Sequence, residues 1–195
     1  ENADVRPNPF QDPHPPFYIG GISPAAVDVG SRHADVYLFW SNTFEQIATD
    51  MATVSAAAKS HDREDQLRYG LRSHVLVRET AEEAQAAVKL LMADATDQMR
   101  AHRQNALGNQ SHADARMREV AEEAAENDHW LSDTLWAGIT TIRHGAGVTI
   151  VGSAEQVAET IQGYIDLGIS SFCLSGYPHD EEATRFGDLV MPAFQ

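Results

Sequence analysis

A β-strand is predicted by the stretch Arg68-Tyr69-Gly70-Leu71-Arg72-Ser73-His74-Val75-Leu76-Val77, in which successive residues alternate in character. One face is apolar and suits packing beneath a helix; it carries Tyr69, Leu71, Val75 and Val77. The opposite face places Arg72 beside His74. Because burying an unpaired charge costs several kcal/mol, this second face must meet either water, as on an edge strand, or an anionic ligand.

Composition bounds the class of protein. The 195 residues are 43% hydrophobic, which is enough for one substantial core and predicts a single domain. The formal charge of −15 argues against nucleic acid as a partner, because such binding depends on cations that meet phosphates. No apolar run approaches the roughly 20 residues of a membrane span, and no signal-peptide core is present. We therefore expect a soluble cytoplasmic protein with no membrane partner.

Cysteine and histidine usage argues against a disulfide and against a metal site. The lone cysteine, Cys173, cannot form an internal disulfide and fits a reducing compartment. It lies in the apolar run 171–174 and is predicted to be a buried, inert thiol. The nine histidines show neither H-x-x-x-H nor H-E-x-x-H spacing, so we expect no metal.

Strands alternate with helices along most of the chain. Residues 1–16 hold five prolines and no initiator methionine, and we expect an extended connection from a missing N-terminal half. Strands are predicted at residues 17–21, 34–40, 68–77, 148–151 and 170–174. Capping boxes at Thr43, Thr80 and Ser153 predict helix starts, and the second of these helices is predicted to reach Met99. A polar, alanine-rich helical insertion is predicted at about 104–131, with a helix at 112–126, followed by a mobile loop at about 132–147.

Strand–helix alternation favours a parallel sheet. A closed (β/α)₈ barrel typically needs about 250 residues, so the main units of this chain amount to half of one. An open doubly wound sheet is the alternative that the pattern leaves available.

Gly20-Gly21-Ile22-Ser23-Pro24 leaves a predicted strand and opens a helix. Glycines let a ligand approach the backbone, and the free amides of a helix start attract phosphate. An ordinary tight turn explains the same residues equally well. Acyl hydrolysis from Ser23 is disfavoured, because Pro24 removes the backbone amide that an oxyanion hole would use.

Further candidates follow other predicted strands. Trp40 closes the second strand and Tyr177 follows the last, and catalytic groups of parallel barrels come from such strand ends. Arg143 stands in a glycine-rich segment that is predicted either to close over an anionic substrate or to be a solvated loop. The glycines of that segment precede a strand, so they do not form a dinucleotide-binding fingerprint.

Four segments resemble the bacterial-luciferase-like flavin monooxygenases, and among them the alkanesulfonate monooxygenases. They are Tyr69-Gly70-Leu71-Arg72-Ser73-His74-Val75-Leu76-Val77-Arg78-Glu79-Thr80, Leu135-Trp136-Ala137-Gly138, Arg143-His144-Gly145-Ala146-Gly147 and Leu174-Ser175-Gly176-Tyr177-Pro178-His179. The resemblance runs from about residue 16 to residue 192. It implies an α/β fold: the C-terminal half of a TIM (β/α)₈ barrel, in which the helical insertion precedes the last unit and residues 17–195 form the half-barrel.

The resemblance also implies an activity. Reduced FMN (FMNH₂), supplied by a separate NAD(P)H-dependent flavin reductase, would activate O₂ to desulfonate an alkanesulfonate, giving an aldehyde and sulfite. The implied catalytic residues are Arg72, His74, Arg143 and Tyr177, and the implied cofactor-binding residues are Gly21, Ser23 and Trp40. The two arginines would hold the anion, and His74, titrating near neutrality, would tune them or move a proton.

Some features leave alternatives open. Ser41-Asn42-Thr43 replaces the Gly-Glu-Pro type of turn that is usual in the sulfonate enzymes, so the organosulfur substrate is not fixed. A deazaflavin (F420) oxidoreductase is a second possibility within the superfamily. Half a barrel also leaves two strand edges to be covered, from which we expect a homo-oligomer, or a non-catalytic binding or structural subunit as a third reading.

Overall fold

The computed structural model describes residues 6–12, 14–105, 111–143, 145 and 147–195. The strands are β1 Tyr18–Gly20, β2 Val36–Trp40, β3 Arg68–Arg78, β4 Leu135–Trp136, β5 Thr149–Ser153 and β6 Ile169–Ser175. The α-helices are α1 Pro24–His33, α2 Phe44–Lys59, α3 Ala81–Met92, α4 Asp97–Asn105, α5 His112–Glu123, α6 Ala154–Asp166 and α7 His179–Leu189, with 3-10 helices at Ala125–Asn127, Gly138–Thr141 and Met191–Phe194. Parts of three predicted segments lie outside the described residues: 1–5 and 13 of the connection, 106–110 of the insertion, and His144 and Ala146 of the mobile loop.

The sheet is mainly parallel, and β3 is its central strand. β1 pairs with β2, and β2 pairs with the first half of β3. β6 pairs with the other edge of β3, so β1, β2, β3 and β6 lie side by side in the order of a partial barrel. The expected α/β fold is therefore confirmed, whereas an edge position for β3 is wrong.

β5 does not lie between β3 and β6, which pair directly with each other. It pairs in parallel with the second half of β3, and β4 adds to its other side in antiparallel fashion. The ladder passes from β2 to β5 at Ser41, whose amide donates to the Arg72 carbonyl at 2.9 Å while its carbonyl accepts from the Val148 amide at 3.1 Å. This junction holds the segment before β5 against the end of β2.

The alternation in β3 gives the strand two different faces, as predicted. Leu71, Val75 and Val77 are buried in the main hydrophobic core, and Tyr69 packs against it. A smaller core, which contains Leu76 and Trp136, joins the end of β3 to α3 and to the 3-10 helix Gly138–Thr141. The apolar face of β3 therefore anchors the sheet and leaves the Arg72 face directed to the interior of the partial barrel.

Helix starts follow the predicted caps more closely than helix ends. Ser153 forms a complete capping box with Gln156, and the hydroxyl groups of Thr43 and Thr80 accept from the amides three residues on. The prediction that α3 reaches Met99 is wrong, because Thr96 accepts from the Met99 amide at 3.2 Å and caps a new helix, α4. α5 likewise ends at Glu123, three residues earlier than predicted.

The prediction for Cys173 is also wrong, since its side chain is exposed. Its Cα atom pairs with that of Arg72, and register partners on adjacent strands point to the same face. Cys173 therefore lies on the interior face of the partial barrel, where no described residue covers its side chain. Among the described residues, no helix combines the length and the apolarity that a membrane crossing requires.

Candidate functional site

A cavity of about 520 Å³ opens at the C-terminal ends of β1 and β2. Four of the residues that were predicted from sequence line it: Gly21, Ser23, Trp40 and Arg72. Gly21 and Ser23 lie in the turn after β1, Trp40 ends β2 and Arg72 lies within β3, so the parallel sheet brings them together. The volume falls within the range of small-molecule sites.

The turn between β1 and α1 is shaped so that backbone reaches the cavity. Gly21 has φ +138°, and a Cβ atom there would lie 2.7 Å from the Cβ atom of Ala26. Ser23 caps α1 by accepting from the Ala26 amide at 3.2 Å. The Gly21 carbonyl is fixed by the Tyr37 hydroxyl, which donates to it at 2.8 Å. Burial, and to a smaller extent the charge of Asp50, raises the pKa of Tyr37 to about 12, so this donor keeps its proton.

Helix α5, which falls in the segment predicted to be an insertion, supplies the opposite wall of the cavity. Its first turns, from Ser111 to Met117, line the space. Arg116 binds Asp50 of α2 at 2.6 Å, and Gln46 donates to the same carboxylate at 2.9 Å. Sequence reasoning did not identify this wall, because nothing local in α5 specifies which surface the insertion packs on.

Arg72 is held by the segment that precedes β5. Its Nη1 donates to the Gly145 carbonyl at 2.8 Å. The amide of Gly145 donates to Asp114 of α5 at 3.4 Å, so this one residue connects the guanidinium to α5. The mobility of residues 132–147 remains a prediction, and the hydrogen bond between Gly145 and Arg72 is a contact that this segment makes with the arginine.

The other three predicted residues form a second cluster beyond Arg72. The ring centroids of His74 and Tyr177 are 5.2 Å apart, and the guanidinium carbon of Arg143 lies 4.8 Å from the Tyr177 centroid. Arg143 Nη1 and the Tyr177 hydroxyl oxygen are both buried, and neither has a hydrogen-bond partner among the described residues. Two buried donors thus stand beside a histidine, where a ligand would satisfy them.

His74 is a neutral base in this environment. It is 5% exposed. Burial lowers its pKa to about 4, with further lowering by Arg143, Arg72 and His179 and a partial offset from a hydrogen bond with the Ser175 backbone. The expectation that it titrates near neutrality is therefore wrong, because desolvation and the two neighbouring arginines act in the same direction.

Two further residues at this cluster were missed. Ser175 Oγ lies 2.7 Å from His74 Nδ1, and the ring of His179 lies 4.9 Å from that of Tyr177. Ser175 is the Cα partner of His74 across β3 and β6, a signal that only the strand register reveals. Within the described part of the chain, no group of three histidine, cysteine, aspartate or glutamate residues is arranged to hold a metal ion.

Three solved structures of similar fold are longer than this chain. DmoA from Hyphomicrobium sulfonivorans superimposes with a TM-score of 0.71 at 18% identity, covering 91% of this chain and 41% of that one. EDTA monooxygenase (EmoA) from Chelativorans sp. BNC1 gives 0.66 at 19%, covering 92% and 44%. The coenzyme F420-dependent tetrahydromethanopterin reductase from Methanopyrus kandleri gives 0.56 at 18%, covering 92% and 51%. This chain thus spans about half or less of the length of each.

The sequence itself matches one protein family over most of its length. Residues 1–171 match the luciferase-like monooxygenases, and the match includes Gly21, Ser23, Trp40 and Arg72 of the cavity and His74 and Arg143 of the second cluster. The mainly parallel sheet agrees with that assignment. The chain therefore belongs to the luciferase-like monooxygenase family.

Proposed function

We propose that the protein is the oxygenase of a two-component system, which uses reduced FMN and O₂ to desulfonate an alkanesulfonate. The observation that carries the proposal is the pair of buried, unpartnered donors on Arg143 and Tyr177 next to neutral His74. A cationic and a neutral donor suit an anionic oxygen acceptor, and guanidinium binds such oxygens in a fixed planar geometry. Catalytic roles for Arg72, His74, Arg143 and Tyr177 are part of the proposal.

The cavity beside this cluster fits the cofactor. The amides at the start of α1, with Ser23 as cap, would hold the FMN phosphate, as helix starts hold anions. The strained Gly21 keeps that approach free of a side chain. Trp40 offers an aromatic wall for the flavin ring. Reduced FMN supplies the two electrons that activate O₂.

The residues of this chain would bind the sulfonate and transfer the protons of the reaction. Arg72 and Arg143 hold the sulfonate, and Tyr177 donates a hydrogen bond to the reacting oxygen. In the net reaction the carbon–sulfur bond breaks and sulfite leaves with its electron pair, one atom of O₂ becomes the aldehyde oxygen, and the other leaves as water. His74, which is neutral, accepts and returns the proton that these steps require.

The partners follow from the same features. No dinucleotide-binding fingerprint is present in the sequence, so we propose that a separate NAD(P)H-dependent reductase supplies the reduced flavin. β1 and β6 each have one edge without a partner among the described strands. Such edges are normally covered, and we propose that the remainder of a barrel covers them in a homo-oligomeric protein.

Two alternatives are to be separated from this function. An F420-dependent oxidoreductase is one, because the reductase from Methanopyrus kandleri shares the fold. A half-barrel that binds without catalysis, as a structural subunit, is the other. Anaerobic titrations with reduced FMN and with reduced F420, monitored by fluorescence, distinguish the three functions. Saturable binding of FMN supports the proposal. Preference for F420 favours the first alternative, and binding of neither cofactor favours the second.

Sulfite release then tests the chemistry. With a supplied flavin reductase and O₂, the protein should release sulfite from short alkanesulfonates, and Arg72→Ala should abolish that release while the fold is kept. Arg68→Ala is the matched control, since Arg68 opens the same strand but is exposed. Wild-type sulfite release by the Arg72 variant, or none by a protein that binds FMN, would refute the desulfonation.

A further inference from the structure

His74 is hydrogen-bonded to the neighbouring strand β6 through one ring nitrogen. Its Nδ1 lies 2.7 Å from the Ser175 hydroxyl oxygen. The two residues are register partners on parallel strands, so their side chains point to the same face. Because both Cα positions belong to a hydrogen-bonded sheet, this contact has little freedom to change.

The remaining surroundings of His74 are cationic or aromatic. Arg72 comes from the same strand, Arg143 from the segment before β5, and His179 from α7, and all three disfavour a proton on the imidazole. Tyr177 packs its ring against that of His74. Among the described residues the imidazole is hydrogen-bonded only to Ser175, whose hydroxyl meets Nδ1 and whose backbone also contributes.

We propose that Ser175 is a positioning residue, whose hydroxyl fixes the orientation of the His74 ring by engaging Nδ1 and so leaves Nε2 as the nitrogen that exchanges a proton. A hydroxyl can donate or accept, so it can engage Nδ1 in either neutral tautomer of the ring. Ser175 itself touches neither substrate nor cofactor in this role. The inference rests on the proposed function only for the identity of the reaction; the state of the ring is a property of the protein alone.

The first test reads the ring directly and needs no turnover. Two-dimensional ¹⁵N–¹H spectra of the protein labelled at histidine resolve the Nδ1 and Nε2 signals of His74 near pH 7. Ser175→Ala, which removes the hydroxyl at Nδ1, should shift the Nδ1 signal more than the Nε2 signal, and Ser175→Thr, which keeps the hydroxyl, should restore the wild-type position. An unchanged Nδ1 signal in Ser175→Ala, or an Nε2 shift as large as that of Nδ1, would overturn the inference.

The second test separates positioning from binding. Ser175→Ala should lower kcat for sulfite release about tenfold, with little change in KM, while the threonine variant stays near wild type. There is room for the added methyl group, because a cavity of about 500 Å³ adjoins Ser175. A rise in KM at unchanged kcat would contradict the role.

The matched control lies on the same strand. Ser171 shares the face of Ser175, and its hydroxyl oxygen is buried without a partner among the described residues. Ser171→Ala should change neither the His74 spectrum nor kcat, and an equal effect of both alanine variants would sink the assignment. If Ser175→Ala changes the His74 spectrum as expected but the protein binds no flavin, the proposed function is refuted and this inference stands.

Discussion

Arg143 and Tyr177 are in direct contact, with the guanidinium carbon 4.8 Å from the ring centroid, yet each keeps a buried polar atom without a partner among the described residues. A fold normally avoids two such groups side by side, because an unsatisfied buried donor costs about 1–3 kcal/mol. Their position together beside His74 is explained if a bound ligand accepts a hydrogen bond from each of them.

Tyr177→Phe should affect ligand chemistry and spare the fold. Removing a hydroxyl that has no partner should leave the free energy of unfolding unchanged or raise it by about 1 kcal/mol. Sulfite turnover should fall about tenfold, the equivalent of one hydrogen bond in the transition state. Urea unfolding and steady-state kinetics measure the two quantities.

Tyr18→Phe is the control for that change, because Tyr18 is 54% exposed on β1. It should alter neither stability nor turnover. A Tyr177→Phe protein that is destabilised by about 2 kcal/mol at wild-type turnover would mean that the hydroxyl serves the fold.

Gly21→Ala should damage the turn at the proposed phosphate site. The residue has φ +138°, which side chains rarely adopt, and the new Cβ atom would meet Ala26 at 2.7 Å. We expect a loss of about 2 kcal/mol in the free energy of unfolding and clearly weaker FMN binding. Isothermal titration with reduced FMN and urea unfolding provide the measurements.

Gly187→Ala is the contrasting control in α7. Its φ is not positive, and a Cβ atom there would meet nothing within 4 Å. Alanine in a helix interior should stabilise by up to about 1 kcal/mol and leave FMN binding unaltered. If both substitutions stabilised the protein, the turn at Gly21 would not need glycine.

His74 should make the protein less stable in mild acid. Its folded-state pKa of about 4 lies below the ordinary 6.5, so the unfolded chain binds more protons between these pH values. The free energy of unfolding should therefore fall by about 3 kcal/mol through this residue as the pH drops from 6.5 to 4, and stay flat below. The folded state is therefore more stable when the His74 imidazole is neutral than when it is protonated.

The measurement is the difference in unfolding free energy between wild type and His74→Asn across this pH range. The difference should change by about 3 kcal/mol, because asparagine does not titrate. A constant difference across this range would place the pKa of His74 at its ordinary value and contradict the prediction.

What the sequence predicted well is local in origin. The period of two in β3 placed Arg72 and His74 on the face opposite Leu71, and Leu71 is fully buried in the main core while Arg72 lines the cavity. Ser153 and Gln156 formed the predicted capping box because that motif is complete within four residues. Candidate residues at strand ends also met, since parallel strands share one carboxyl edge.

What it missed depends on contacts between distant segments. Ser175 needed the register of β6 against β3, and the α5 wall needed the packing of an insertion on the cavity. Cys173 was predicted as buried from its apolar neighbours, although those neighbours lie on both faces of β6. The break after Met92 arose because Thr96 offers a cap that competes with a continuous helix.

Glu182 holds α7 on the end of β3 and thereby supports Tyr177, which precedes that helix. Its side chain is buried and accepts from Arg78 at 2.9 Å and from Arg185 at 2.5 Å. A Cβ atom on Gly176 would lie 2.4 Å from that of Glu182, so α7 also packs closely on the residue that follows β6. Glu182→Gln should remove the counter-charge that Arg78 and Arg185 share.

We expect Glu182→Gln to lower the free energy of unfolding by about 2 kcal/mol, less than for a fully buried pair because water reaches both arginines. Glu181→Gln is the control: its carboxylate also binds Arg185, at 3.0 Å, but is 56% exposed, and its removal should cost about 0.5 kcal/mol or less. Urea unfolding at low and high salt compares them. Since exposed pairs are screened and buried ones are not, only the Glu181 effect should disappear in high salt, and equal losses for both variants would contradict the anchoring role of Glu182.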